Sequence, residues 1–201
     1  MTGKSITPLD QQAFNTRLIM LLETLAIPYA IGGSVAAMVY SETRNTIDID
    51  LMIQIELDDL DKLISEIEAW KVYVDPFETV IEFNLPRQMP ISIVDGLSGT
   101  KADIYVACET GIDVSAMERR QRKQFYDDAP IETWFLAPEN VILYKLDYFR
   151  QSAGQSQKHP LDIAKMLTAV GDTLDLIYLE FWAKKLDIYE LWSALWNEFR
   201  K

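Results

Sequence analysis

Three aspartates interrupt stretches of the chain that are otherwise rich in apolar residues. Asp48 and Asp50 lie two positions apart in residues 46–55, where alternating apolar residues predict a strand, so both carboxylates project from one face. Asp103 interrupts the apolar run of residues 102–107, a second predicted strand. Because magnesium prefers carboxylate and phosphate oxygens, the three acids indicate a site for one or two ions that bind a triphosphate.

A glycine pair and a serine join a short apolar strand, residues 29–31, to a predicted helix over residues 34–40. Gly32 and Gly33 have no Cβ atom, so a phosphate can approach their backbone, and the first amides of the helix point at it with a partial positive charge. Ser34 adds a hydroxyl group and is placed to cap the helix. The turn therefore indicates a phosphate-binding site.

Each of these features also has a purely structural explanation. A glycine pair makes a tight turn in many proteins. Two acids on one face of a strand often face solvent, and an aspartate such as Asp103 can bond loop amides at a strand end. We favour a catalytic role for these residues over a purely structural one, because the turn and the acids supply complementary parts of one metal-triphosphate site.

The remaining sequence predicts the elements that hold these residues in place. Apolar residues three and four positions apart predict amphipathic helices over residues 11–25 and 57–70. Short apolar runs bounded by Asp, Pro and Gly predict strands, and beyond Pro138 the pattern is helical without strand-like alternation. The further strands are predicted over residues 72–74, 80–85, 91–94 and 102–107, and the later helices over residues 139–149, 161–169 and 174–199.

The order of these elements predicts an α+β fold, in which a short mixed β-sheet is flanked by helices and followed by a C-terminal helical region. The change of pattern places a boundary near Ala137. We expect residues 1–137 to form a catalytic core and residues 138–201 to form a helical region that closes the nucleotide cleft.

Charge and hydropathy exclude several classes of function. The chain has 201 residues, with 19 basic and 31 acidic side chains and a formal net charge of −12, so a broad duplex-binding face is excluded by repulsion. A triphosphate that is bound through metal ions remains compatible with this charge. No apolar run approaches a membrane span and no signal peptide is visible, so we expect a soluble, cytoplasmic protein without a membrane partner.

Two segments together resemble the signature of the nucleotidyltransferase superfamily, in which Gly-Gly/Ser is followed by Asp-x-Asp. They are Gly32-Gly33-Ser34 and residues 44–51, Arg-Asn-Thr-Ile-Asp-Ile-Asp-Leu. The resemblance is to the minimal and AbiEii-like prokaryotic branches, where a third aspartate lies on a later strand, as Asp103 does. Residues 137–145, Ala-Pro-Glu-Asn-Val-Ile-Leu-Tyr-Lys, are similar to a helix of these proteins, and Leu161-Asp162-Ile163 is similar to the opening of the next one.

The resemblance implies transfer of a nucleoside monophosphate, for example from ATP, to an acceptor hydroxyl with release of pyrophosphate. It implies a two-metal magnesium site, whose catalytic and metal-binding residues are Asp48, Asp50 and Asp103. The implied nucleotide-binding residues are Gly32, Gly33, Ser34, Arg44 and Lys145. Arg44 has the alternative role of bracing an aspartate, and Lys145 that of extending to solvent. The acceptor, whether a tRNA, a protein or a small molecule, is not identified by the sequence.

Two alternatives to this function remain open. One is a catalytically inactive module with the same fold that binds or regulates a partner protein in a toxin-antitoxin type of system. The other is an aminoglycoside-type modifier of small molecules, whose polycationic substrates an acidic protein would attract.

Trp182, Trp192 and Trp196 are expected in the core or in a homodimer contact.

Two further groups of polar residues are assigned structural roles. His159 precedes a proline at a predicted helix start, where a capping or exposed position is favoured over catalysis. The basic residues Arg119, Arg120, Arg122 and Lys123 are expected to form a solvated face, with guidance of an RNA or a nucleotide as the alternative.

We predict that magnesium and a triphosphate together stabilise the protein more than either does alone, because the metal cancels the repulsion between carboxylates and phosphates. With the ligand at 100 times its dissociation constant, the gain in the free energy of unfolding should be about 2.7 kcal/mol. Chemical denaturation with ATP, in magnesium and in chelator, measures it. An equal effect of the triphosphate in both conditions would contradict the metal bridge.

Overall fold

The computed structural model describes residues 11–41, 48–74, 90–96, 98–126 and 131–200. These residues form eight α-helices, one short 3-10 helix and seven strands, in agreement with the predicted α+β class. In chain order they are α1 (Gln11–Thr24), β1 (Tyr29–Ile31), α2 (Gly33–Tyr40), β2 (Asp48–Ile53), α3 (Leu57–Glu68), β3 (Tyr73–Val74), β4 (Ile91–Val94), β5 (Lys101–Val106), α4 (Ile112–Glu118), β6 (Gln121–Phe125), β7 (Ile131–Phe135), α5 (Pro138–Gln151), α6 (Lys158–Val170), the 3-10 helix (Gly171–Thr173), α7 (Leu176–Lys185) and α8 (Tyr189–Phe199).

Internal contacts divide the chain into two compact units. The first comprises residues 1–29 and 47–108, and the second comprises residues 30–46 and 109–201. Each unit is therefore built from two separate stretches of chain, and its limits differ from the boundary at residue 137. The assignment of residues 1–137 to a catalytic core and of residues 138–201 to a cleft-closing region stays a prediction.

In the first unit the strands follow the order β3-β4-β5-β2. β2 runs parallel to β5, whereas β4 is antiparallel to both β5 and β3. The apolar faces of α1 and α3 are buried, as their spacing predicted, with Phe14, Leu18, Leu60 and Leu63 fully enclosed. The first unit is thus a mixed sheet with its own core.

The alternation of β2 confirms the predicted strand. Ile49, Leu51 and Ile53 are fully buried, whereas Asp48 and Asp50 are half-buried. Successive side chains of a strand point to opposite faces. One face of β2 therefore belongs to the core and the other carries the two acids.

The second unit holds the strand order β1-β7-β6 and the remaining helices. β7 runs parallel to β1 and antiparallel to β6. Helix α5 is largely enclosed, with Val141, Ile142, Leu143 and Leu146 at 1% exposure or less. α2 and α6 pack against it, and α8 packs against α6. The helical character predicted beyond Pro138 is confirmed.

The structure adds four elements that the sequence did not predict: α4, β6, β7 and the 3-10 helix. β6 consists of Gln-Arg-Lys-Gln-Phe, and only Phe125 is buried. Such a strand is held by its backbone hydrogen bonds to β7 rather than by an apolar face. Hydrophobic periodicity carries no signal for it. The predicted strand at residues 80–85 lies outside the described residues.

Two predictions of helix boundaries are wrong. Residues 174–199 were predicted as helical throughout, but the chain leaves the helix between α7 and α8, where Asp187 has a left-handed φ of 57°. The N-cap of α2 is Gly32, not Ser34, and this N-cap makes no side-chain capping bond. Among the described residues, no helix is long and apolar enough to span a membrane.

Truncation of the buried face of β2 tests the separation of core and acid faces. We expect Leu51→Ala to lower the free energy of unfolding by about 2–5 kcal/mol, because it leaves a cavity in a packed core. Met20→Ala on α1, where the side chain is 62% exposed, serves as the control and should change it by less than about 0.5 kcal/mol. Urea denaturation of both variants measures the difference, and similar losses would contradict the burial pattern.

Candidate active site

The pairing of β2 with β5 brings the three predicted aspartates onto one sheet face. Asp50 lies opposite Asp103 in the parallel register, and Asp48 lies opposite Lys101. Paired residues of neighbouring strands point to the same side, and such strands are about 4.8 Å apart. Since Asp48, Asp50 and Asp103 are all half-buried, this face is partly open to solvent. The first unit therefore presents a concentrated negative charge at its surface.

Asp103 is held by two neighbours on the same face. Ser92 of β4 donates a hydrogen bond from Oγ to Asp103 Oδ1 at 2.6 Å, and Lys101 donates from Nζ to Oδ2 at 2.8 Å. The bond to Asp103 is the main cause that raises the pKa of Lys101, and the charges of Asp103, Asp48 and Asp50 add to it against the opposing effect of burial. Lys101 is thus a cation among three carboxylates.

Sequence reasoning missed Lys101 as a member of this cluster, although a signal was present. Lys101 lies two positions before Asp103, and residues at i and i+2 of a strand share one face. Ser92 had no such signal. Its place opposite Asp103 depends on the antiparallel pairing of β4 with β5, which local sequence does not encode.

The donor atoms of this cluster fit magnesium in their chemistry, since all are hard carboxylate oxygens. The Lys101 ammonium, bonded to one of them, shows that the cluster accommodates a cation. Within the described part of the chain, however, no three His, Cys, Asp or Glu side chains are arranged to hold a metal ion. The magnesium site on Asp48, Asp50 and Asp103 therefore stays a prediction.

The second unit contains a different polar cluster, formed by Ser34, Lys145 and Asp162. Lys145 Nζ donates to Asp162 Oδ2 at 2.8 Å and to Ser34 Oγ at 3.4 Å. The Ser34 hydroxyl donates in turn to Asp162 Oδ2 at 3.3 Å. The side chains of Lys145 and Asp162 are both only 4% exposed. This buried ion pair joins α5 to α6 and, through Ser34, to α2.

These contacts correct the expected capping role of Ser34 and the solvent-extended alternative for Lys145, and nucleotide binding by both residues stays a prediction. The Ser34 hydroxyl is bonded within the protein instead of capping α2, and the Lys145 ammonium is enclosed instead of extended to solvent. Asp162, which sequence reasoning noted only for its resemblance to a helix opening, is the partner of both. Gly33 begins α2 with a left-handed φ of 58°, which glycine adopts without strain. Arg44 lies outside the described residues.

The basic residues near α4 are exposed or partly exposed, as expected of a solvated face, and they also pack against aromatic rings. Arg119 lies over the Tyr178 ring at 4.1 Å and pairs with Glu139 and Asp175, each at 3.4 Å. Arg120 and Arg122 lie over the Trp134 ring, at 4.7 and 5.4 Å, and Lys123 lies over the Tyr40 ring at 4.9 Å. Cation–π contact with these rings gives the charges a packing role.

His159 does not have the capping or exposed position that was expected. His159 is buried in the first turn of α6 and lies against the Tyr148 ring at 5.1 Å, so it is neither exposed nor the cap.

Burial, with the charge of Glu139 as a second cause, raises the pKa of Tyr40. The Tyr40 hydroxyl donates to the Leu136 carbonyl at 2.9 Å, so this tyrosine remains a neutral donor.

Comparison with protein-family models and with curated protein sequences finds no match. The structure is similar to that of the antibiotic-resistance factor ANT(2'')-Ia, with a TM-score of 0.55 and 14% identity over 94% of this chain and 95% of that chain. It is also similar to the lincomycin-bound lincosamide antibiotic adenylyltransferase LnuA, with a TM-score of 0.52 and 14% identity over 81% of this chain and 99% of that chain.

A third similar structure is that of an antigenic nucleotidyltransferase-like protein from Paracoccidioides brasiliensis, with a TM-score of 0.50 and 18% identity over 94% of each chain. These likenesses define the class: the chain has the nucleotidyltransferase fold. The sequence resemblance to that superfamily is thereby supported at the level of fold, whereas its minimal and AbiEii-like branches stay a prediction.

Removal of one partner of the buried Lys145–Asp162 pair should destabilise the protein more than removal of both. We expect Asp162→Ala to lower the free energy of unfolding by about 3–5 kcal/mol, because it leaves a buried ammonium without its counter-charge. Removal of both charges, in Lys145→Met with Asp162→Leu, should cost less than that single change. The exposed pair Lys184–Glu180 is the control, since Glu180→Ala should cost less than about 1 kcal/mol.

Chemical denaturation of the three variants and the wild type measures these differences. A loss for Asp162→Ala no larger than that for Glu180→Ala would show that the buried pair does not hold α5 and α6 together.

Proposed function

We propose that this chain transfers a nucleoside monophosphate from a nucleoside triphosphate to an acceptor hydroxyl and releases pyrophosphate. The observation that carries the proposal is the register of β2 and β5, which puts Asp48, Asp50 and Asp103 on one partly exposed face. In a chain with the nucleotidyltransferase fold, three carboxylates on paired strands are the residue types that this reaction needs.

In the proposed reaction the acceptor oxygen forms a bond to the α-phosphorus, and the bond from that phosphorus to the pyrophosphate oxygen breaks. The proton of the hydroxyl passes to Asp103 and then to water. Asp48, Asp50 and Asp103 would hold magnesium, which when bound neutralises the triphosphate and lowers the pKa of the acceptor hydroxyl. The strands contribute by keeping the carboxylates in fixed positions, so that little reorganisation accompanies the reaction.

The turn before α2 is the proposed binding segment for the triphosphate tail. Gly32 is extended and Gly33 has a left-handed φ, so their amides can face an anion at the start of a helix. Ser34 and Lys145 would act on a phosphate only after leaving Asp162, whereas the backbone amides need no such change. We therefore assign the first contact to Gly32 and Gly33, with Ser34, Lys145 and Arg44 as further candidates.

A small antibiotic-type molecule is the acceptor class that we propose. One structure of ANT(2'')-Ia, with a TM-score of 0.55, is a complex with adenylyl-2''-tobramycin, and LnuA is bound to lincomycin. The net charge of −12 favours approach of a cationic acceptor such as an aminoglycoside over that of an anionic one such as tRNA. The sequence leaves a protein acceptor open, and no observation in the described residues favours it.

Transfer of radiolabel from [α-32P]ATP, in magnesium and over a panel of aminoglycosides, lincosamides, tRNA and protein hydroxyls, tests this function. We expect Asp48→Asn and Asp50→Asn each to lower transfer by at least about 100-fold, because each keeps volume and removes the charge that binds the metal. The matched control is Glu66→Gln on the exposed part of α3, which removes one negative charge from the same unit and should leave transfer unchanged.

The same variants separate chemistry from stability. Loss of one of several clustered carboxylates should leave the unfolding midpoint in chelator unchanged or slightly higher. Transfer at wild-type levels in both variants, or a large loss of stability with transfer intact, would contradict a catalytic role for Asp48 and Asp50. Triphosphate binding without transfer to any acceptor would instead favour the inactive regulatory module.

A further inference from the structure

Two lysine–aspartate pairs of this protein have the same Nζ–Oδ2 distance, 2.8 Å, but very different surroundings. In the Lys145–Asp162 pair both side chains are 4% exposed, whereas Lys101 is 37% and Asp103 is 13% exposed. A buried pair cannot open without leaving two charges in a medium of low dielectric constant. A pair at the surface can open, because water solvates the released ammonium. The Lys101–Asp103 pair is therefore exchangeable.

The position of Lys101 concerns more than one acid. Its register partner on β2 is Asp48, and Asp50 is the register partner of Asp103. The charges of all three aspartates act on the Lys101 ammonium. A lysine has a compact charge on a flexible four-carbon stem, so it can neutralise several carboxylates in turn without a fixed geometry. Lys101 thus compensates the repulsion within the acidic face.

We propose that Lys101 is an internal, displaceable cation: it neutralises the acidic face when no divalent metal is bound, and it leaves Asp103 when one binds. This inference rests on the proposed function and adds a specific residue to it. Lys101 is a positioning residue, because it acts through Asp103 and not on the substrate. It keeps the three carboxylates close together in the metal-free protein, and it competes with the metal for them.

Removal of the ammonium should therefore have two opposite effects. In Lys101→Met the metal no longer competes with an internal cation, so its affinity should rise, by about 10-fold. Without metal, the same variant leaves the acids uncompensated, so it should unfold at a lower urea concentration than the wild type. Lys101→Arg keeps the charge, and its metal affinity should stay within about 3-fold of the wild type.

Binding of Mn²⁺ alone to the full-length protein tests the inference, with free Mn²⁺ measured by electron paramagnetic resonance. The matched control is Lys62→Met, which removes one positive charge from an exposed position of α3 in the same unit and should bind Mn²⁺ as the wild type does. Circular dichroism verifies that each variant is folded.

A double-mutant cycle with Asp103→Asn assigns the effect to the pair. An asparagine at position 103 does not hold the Lys101 ammonium as a carboxylate does, so Lys101 no longer competes with the metal there. Lys101→Met in this background should therefore change Mn²⁺ affinity by less than about 3-fold. An unreduced 10-fold gain there would show that general charge, not the Lys101–Asp103 bond, sets the affinity, and it would overturn the inference.

The remaining outcomes separate this inference from the proposed function. Equal or weaker Mn²⁺ binding by Lys101→Met, with nucleotidyl transfer intact in the wild type, overturns the inference and leaves the proposed function standing. Absence of Mn²⁺ binding in both proteins, together with absence of transfer, overturns both. Tighter binding by Lys101→Met but not by Lys62→Met, lost in the Asp103→Asn background, supports the displaceable cation.

Discussion

The parallel pairing of β2 with β5 is the constraint on which the candidate site depends. It sets Asp50 beside Asp103 and Asp48 beside Lys101, and it does so through backbone hydrogen bonds that are indifferent to the side chains. A shift of the β2 register by one residue would turn Asp48 and Asp50 toward the core. The strand does not tolerate such a shift, because Ile49, Leu51 and Ile53 are fully buried there. The packing of the apolar face thus holds the charged face in register.

This arrangement keeps like charges together in a folded protein, which is possible because they are not alone. The acidic face is partly solvated, and a lysine and a serine bond its third carboxylate. Solvation and these two bonds both weaken the electrostatic repulsion between the carboxylates. In the proposed metal site, the Lys101 ammonium would offset the repulsion between the carboxylates while no divalent ion is bound.

The second unit solves the opposite problem, that of charges enclosed by helices. Its buried lysine and aspartate satisfy each other and a serine hydroxyl, so α2, α5 and α6 are joined by buried polar bonds. Arg119 and Arg120 lie over aromatic rings, and Arg119 also pairs with Glu139 and Asp175. In this unit polar residues join helices to one another, whereas in the first unit the polar cluster lies on a partly exposed sheet face.

The sequence by itself determined the period of the elements and hence the faces of the strands. It predicted that Asp48 and Asp50 share a face, that Asp103 lies on a strand, and that the class is α+β with helices after Pro138, because hydrophobic periodicity is a local property. Tertiary structure decided the rest. Which strand pairs with β5, that Ser92 bonds Asp103, that Asp162 lies against Lys145, and that the polar β6 is a strand all depend on contacts between distant residues. Periodicity carries no information about such partners, since it specifies only which side of an element faces the core.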